Sequence, residues 1–224
     1  MRKTIEQAFA VAIVLLAAAC LSTVTFAQVK VPTSAPDKTI FRDHNGELIS
    51  NNEFVDIRMA NFNYPDATIV KSYDDGTVEF RLQKIPQEGM TAPNFKVRTI
   101  DGNDVSFAEL KGKVIVLNFW FIGCHVCRAL KPQLNEFKAK FAGRDDVVFI
   151  AMTADPEGDV KKFLQKEPFE YIQAADAKPA LSSFAFSGYP KNLVISKTGE
   201  IVYWRSVIRA WPKFESVIRA ELAK

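Results

Sequence analysis

Two cysteines, Cys124 and Cys127, sit two residues apart in the string Phe119-Trp120-Phe121-Ile122-Gly123-Cys124-His125-Val126-Cys127. Held by the first turn of a helix, two thiols at this spacing can close a small disulfide, and the chemistry open to them is thiol-disulfide exchange. The run Val114 to Phe119 is apolar apart from Asn118 and reads as a strand buried on both faces, while Cys124 to Phe141 reads as a helix. Cys124 is therefore expected at a helix N-terminus, where unpaired backbone N–H groups and the helix dipole favour thiolate over thiol. It would attack a substrate disulfide, and Cys127, one turn further in, would resolve the mixed disulfide. A protonated His125 beside the nucleophile would lower its pKa further; otherwise His125 is a solvent-facing side chain of small effect.

The elements around this pair follow a recurring strand and helix pattern. In the helix after Cys124, Leu130, Leu134, Phe137 and Phe141 recur at spacings of four, three and four on one stripe. Val147 to Met152 is a second buried strand, Gly158 to Lys166 a helix, and Tyr171 to Ala174 an extended segment. Leu193 to Ser196 and Ile201 to Trp204 flank a turn, and a last helix starts at Trp211-Pro212, where proline fits the first turn. Ahead of these, Phe95 to Ile100, the Asp101-Gly102 turn and Val105 to Leu110 read as a hairpin leading into a short turn of helix. The order β-α-β-α-β-β-α predicts an α/β fold, a three-layer sandwich with a mixed sheet. The string Ser-Val-Ile-Arg-Ala, at 206–210 and again at 216–220, is too short and too few to indicate a repeat architecture.

At 224 residues, 48% hydrophobic and 25% charged, the chain is long and apolar enough to bury a core without staples, and disorder, collagen and coiled coil are excluded. A net charge of +3 is too small to mark a nucleic-acid surface. The third cysteine, Cys20, falls in an opening segment with Arg2 and Lys3, an apolar run Ala8 to Leu21, and Thr25-Phe26-Ala27. This pattern reads as a secretory signal covering residues 1–27, cleaved after Ala27. A retained membrane anchor and a lipidated Cys20 are the other readings; Ser22, Thr23 and Thr25 weaken the first, and Ala17 stands where lipid-attachment sites usually carry Leu. All three place the folded part outside the cytoplasm, most simply in the periplasm. Removing residues 1–27 takes two basic residues and one acidic, which lowers the charge to +2 and leaves Cys124 and Cys127 as the remaining cysteines.

Residues 28–88 form a zone of their own ahead of these elements, with short apolar runs between turn signals such as Asn45-Gly46 and Asp75-Gly76, and strand-like alternation in Thr77 to Leu82. They read as a small β-rich N-terminal region with no evident chemistry, and residues 89–224 as the domain that carries the pair. His44, in a turn of polar composition, lacks neighbours for a metal site. Neither a metal nor a cofactor is expected.

The motifs from residue 90 onward resemble the thioredoxin-like thiol-disulfide oxidoreductases of the TlpA/ResA type, within the broader AhpC/TSA-like group. The resemblance is carried by Ala92-Pro93-Asn94-Phe95, Asp101-Gly102, Leu110-Lys111-Gly112-Lys113-Val114, Asn118-Phe119-Trp120, the cysteine pair with Arg128 and Pro132, and Gly188-Tyr189-Pro190 followed by Asn192 to Ile195. It does not extend to residues 28–88. It implies that Cys124 is the exposed nucleophile, Cys127 the buried partner, Trp120 a shield over the dithiol, and Pro190 a cis proline facing it. The backbone of Tyr189 would then hold a substrate strand. It also implies protein thiols and disulfides as substrates, with a membrane-linked electron donor or acceptor; a reductant is favoured over an oxidant, and Val126 and His125 leave the direction of electron flow open.

Three positions depart from that pattern. Asn118 stands where thioredoxin proper has a buried Asp, Leu130 where many relatives place a Glu, and Val126 where Pro is common. Water, His125 or an acid from the Asp155 to Asp159 loop is left to take the proton of the buried thiol. A peroxiredoxin would need an activating Thr in the Phe121-Ile122-Gly123 stretch, which has none, and haem attachment would need His where Arg128 stands. The remaining alternatives are a non-catalytic binding module with a permanent Cys124–Cys127 bridge, and a metal-transfer role that is short of ligands.

Overall fold

The computed structural model describes residues 38–61 and 68–224. The leader with Cys20 and Ala27, and residues 28–37, lie outside the described residues. In chain order, the first zone contains β1 (Lys38–Arg42), β2 (Leu48–Ile49), helix α1 (Asn51–Arg58), β3 (Ile69–Ser72) and β4 (Thr77–Arg81). These strands form a four-stranded sheet in the order β2-β1-β4-β3, with β1 and β4 parallel and the outer pairings antiparallel. Its apolar side is small, with Phe54 of α1 stacked 4.4 Å from Phe41 and 5.9 Å from Phe80.

Helix α1 is an element the sequence reading lacks. Asn51-Asn52-Glu53-Phe54-Val55-Asp56-Ile57-Arg58 has weak helix propensity, and Ser50 caps it by accepting from the Glu53 N–H. What holds it is tertiary. Buried Asp56 accepts hydrogen bonds from the backbone N–H groups of Arg209 and Ala210, at the start of the last helix. Asn61 accepts from the Trp204 indole, and the Ala60 carbonyl accepts from the Ser206 hydroxyl and the Lys191 ammonium. The first zone is thereby fastened to the strands and helix that follow.

The second zone begins with a hairpin, β5 (Lys96–Arg98) and β6 (Asp104–Ser106), followed by turns in place of the expected turn of helix. Then come β7 (Val114–Phe119), α2 (His125–Ala139), β8 (Val147–Met152), α3 (Glu157–Leu164), β9 (Ile172–Ala174), α4 (Lys178–Ser183), β10 (Lys191–Ile195), β11 (Ile201–Arg205) and α5 (Trp211–Leu222). The five-stranded sheet runs β11-β10-β7-β8-β9, with β7, β8 and β9 parallel and β10 antiparallel to both its neighbours. It is the mixed sheet of an α/β sandwich. Relative to the expected order, β9 is a true edge strand and α4 is an added short helix.

Every residue of β7 is buried, and strand alternation divides its side chains between two cores. Ile115, Leu117 and Phe119 pack with Phe95, Val97 and α4, whereas Val114 and Val116 pack with α2 and α5. The predicted stripe Leu130, Leu134, Phe137 and Phe141 is buried in the second core, together with Phe214 and Ile218 of α5. Cys124, Cys127 and Trp120 belong to this core as well. Among the described residues, no helix is long and apolar enough to cross a membrane.

Candidate active site

Strand β7 ends at Phe119, and five residues carry the chain from there to the first turn of α2. Cys124 is the N-cap of that helix, in extended conformation, and its Sγ accepts from the Cys127 N–H at 3.1 Å. A sulfur placed this way faces unpaired backbone donors and the positive end of the helix dipole, both of which stabilise a thiolate. The two cysteines form a disulfide with their Cα atoms 5.2 Å apart. Both cysteines are buried, Cys124 at 7% exposure and Cys127 at 2%, so the less deeply buried residue is the one at the cap.

The loop before the pair is tied from beside it. Asp155, just after β8, accepts from the Ile122 N–H at 2.7 Å and from the Thr153 hydroxyl at 2.7 Å. Phe121 turns outward at 38% exposure and packs edge-on against Tyr189 at 5.2 Å. The Tyr189–Pro190 peptide bond is cis, and Pro190 is buried at the entry to β10. Phe186 also packs edge-on with Tyr189 at 5.1 Å, and burial together with the Asp155 charge raises the Tyr189 phenol above its ordinary value. Val126, between the cysteines, is 50% exposed. Phe121 and Val126 are therefore exposed apolar side chains on either side of Cys124 in the chain, and Phe121 rests on Tyr189.

Of the sequence candidates, Cys124 and Cys127 share one core, Tyr189 packs against it, and Pro190 follows Tyr189 at the cis bond. His125 is exposed on the first helical turn. Trp120 is fully buried and offers no surface to a substrate; it belongs to the same core as the pair, packed 5.7 Å from Phe163 and 6.2 Å from Phe169. Asn118 is engaged too, donating to Asn192 across the β7–β10 pairing at 2.9 Å. Leu130 sits in the apolar core. The side chain the sequence reading missed is Lys131. It is 3% exposed, with Nζ 3.9 Å from the ring centres of both Trp120 and Phe163. A lysine between Leu130 and Pro132 reads as the polar side of a helix, and no local signal marks it as buried. No group of three or more potential metal ligands occurs among the described residues.

A model of the Redoxin family matches residues 87–218. The chain belongs to the Redoxin family. This redoxin is 32% identical over 118 residues to the thiol-disulfide oxidoreductase ResA of Bacillus cereus, covering 52% of this chain and 68% of the relative. The thioredoxin-like protein YneN of Bacillus subtilis is 28% identical over 117 residues, covering 51% of this chain and 69% of that one. Among solved structures, the thioredoxin domain of a thiol-disulfide oxidoreductase from Bacteroides vulgatus superposes with a TM-score of 0.53 at 26% identity, over 58% of this chain and 97% of that domain. With a closed CxxC disulfide at a strand-to-helix junction of a thioredoxin-like fold, the protein is a thiol-disulfide oxidoreductase of the ResA/TlpA type.

Proposed function

We propose that this redoxin works outside the cytoplasm as a reductant of protein disulfides, with Cys124 as nucleophile and Cys127 as the resolving thiol. The observation that carries the reading is the unequal placement of the two sulfurs, with Cys124 at the helix cap and Cys127 behind it in the apolar core. In the reduced protein, the Cys124 thiolate attacks a substrate disulfide and expels one substrate thiolate. Cys127 then loses its proton and attacks Cys124 Sγ, which releases the second substrate thiolate and restores the Cys124–Cys127 bond. Two electrons pass to the substrate, and a membrane-linked donor would return them. Phe121, Val126 and the Tyr189 backbone beside Pro190 form a docking rim. Residues 89–224 are the catalytic domain, and the preceding β-rich region buttresses it through Asp56 and Ala60.

Burial of Cys127 supports the reductant direction. An apolar site that disfavours a thiolate at Cys127 favours the closed disulfide, and a stable disulfide makes a strong reductant. The leader pattern of residues 1–27 supports export. The test is a Cys127→Ser variant of the full chain expressed in cells, which should accumulate mixed disulfides through Cys124 in the extracytoplasmic fraction. In glutathione buffers the wild-type pair should stay oxidised until glutathione is in large excess. A variant that traps nothing, together with a wild type that exchanges no disulfide, would instead favour a binding module with a permanent bridge.

A further inference from the structure

Lys131 combines three observations. Its side chain is almost wholly buried, its Nζ has no hydrogen-bond partner, and two aromatic rings hold it at 3.9 Å. One of those rings, Trp120, belongs to the core that contains both cysteines. Lys131 also lies four residues after Cys127 in α2, so the two share a helix face. Helical side chains lean toward the N-terminus, which carries the lysine stem back over the turn that begins at Cys127. An ammonium in such a place lacks the hydrogen bonds that ordinarily offset desolvation, and cation–π contacts recover about 0.5–2 kcal/mol each.

The charged groups around it do not neutralise it. On its own helix, Arg128 is paired with Glu167, so the nearest carboxylate of the loop after α3 already has a cation. Asp155, after β8, is engaged with Ile122 and Thr153. From α3 and the following loop, Phe163 and Phe169 present rings, and Tyr171 is a buried phenol that burial holds protonated. Burial pushes the Lys131 ammonium down to about 8, with Glu167 and Asp155 opposing and Arg128 reinforcing the shift. The position therefore has an unmet demand for a negative charge, and the group one turn away that can acquire one is the reduced cysteine pair.

We propose that Lys131 is a positioning residue for the redox step: its buried ammonium stabilises the thiolate of the reduced Cys124/Cys127 pair. The step balances. Two external thiols reduce the Cys124–Cys127 bond and are oxidised to a disulfide. One of their two protons stays on the second cysteine; below pH 8, where Lys131 is already an ammonium, the other leaves to solvent, and near pH 9 it goes to the neutral amine, so that thiolate and ammonium face each other in the reduced state. Because the charged pair stabilises the reduced state, Lys131 offsets part of the reducing bias that burial gives Cys127. The inference rests on the proposed redox cycling of the pair.

The experiment uses the full chain and its Lys131→Met variant, which keeps the stem and removes the charge. The reduced proteins are alkylated with iodoacetamide across pH, and both are equilibrated with glutathione. The expected result for Lys131→Met is a higher apparent thiol pKa and an equilibrium shifted roughly tenfold toward the disulfide, about one pKa unit of lost thiolate stabilisation. A structural role alone would change stability and leave both readouts where they are. Should the variant not fold, the wild type decides through its proton uptake per disulfide reduced near pH 9. That uptake should exceed the number of protonated thiols by about one. Equal thiol titrations and equal glutathione equilibria for the two proteins, or no excess proton, would overturn the inference. A wild type that exchanges no disulfide would instead overturn the proposed function.

Discussion

The Asp155 carboxylate accepts a hydrogen bond from the Ile122 N–H at 2.7 Å, so a residue following β8 fixes the loop that delivers Cys124 to its helix cap. The same oxygen accepts from Thr153, which orients the carboxylate before it reaches the loop. Asp155→Ala leaves a part-buried N–H without its acceptor, a cost of about 1–3 kcal/mol in the folded state. Exchange with a model protein disulfide is expected to slow several-fold, and Asp155→Asn, which keeps an acceptor, to retain most of the rate. Stopped-flow rates for the two variants check the order.

The apolar rim gives a prediction about substrate class. Val126 is half exposed between the cysteines, and burying such a side chain against a partner is worth up to about 1.5 kcal/mol. Val126→Ser should weaken the reaction with a protein disulfide by roughly 3- to 10-fold and leave the rate with oxidised glutathione unchanged, since a tripeptide covers little of the rim. Parallel kinetics with the two substrates separate these outcomes.

Asp56 should matter to stability. Its carboxylate satisfies the N–H groups of Arg209 and Ala210 at the start of α5. Asp56→Ala removes the acceptor from buried donors and should destabilise the fold by about 2–3 kcal/mol. Urea unfolding at neutral pH measures this.

Buried lysines set a pH dependence. Burial pushes Lys131 and Lys191 down from 10.5 to about 8. Below pH 8 both are protonated folded and unfolded, so their burial penalty is constant. Between about pH 8 and 10 the unfolded chain holds more protons on these groups, and stability should rise with pH by up to about 3 kcal/mol per lysine. Above that, buried Tyr171 and Tyr203, whose phenols burial keeps protonated, reverse the sign because the folded state now binds more protons. Urea midpoints measured through this range should pass a maximum, and Lys131→Met should be more stable than wild type at pH 7 and flatter above pH 8.

The parts of the structure legible in the sequence are those with strong local signals. The Val114 to Phe119 run, the stripe from Leu130 to Phe141 and the cysteine spacing are such signals, and they locate the pair at the strand-to-helix junction. Helix α1 was hidden because weak propensity is overridden by the tertiary bonds of Asp56 and Asn61. Helix α4 is six residues long, too short for periodicity to show. Lys131 and Lys191 were hidden for a different reason. A lysine is read as surface by default, and its burial depends on partners distant in sequence, such as Phe163 for the first and Ala60 for the second.

The most direct test of the central claim is a single-turnover reaction of fully reduced protein with insulin, with products identified by mass. The predicted result is insulin reduced by the wild type, one stable insulin adduct on Cys124 in the Cys127→Ser variant, and no adduct in Cys124→Ser. An adduct that forms equally on Cys127 when Cys124 is absent, or no reaction with the wild type, would contradict the assignment of Cys124 as the attacking thiol.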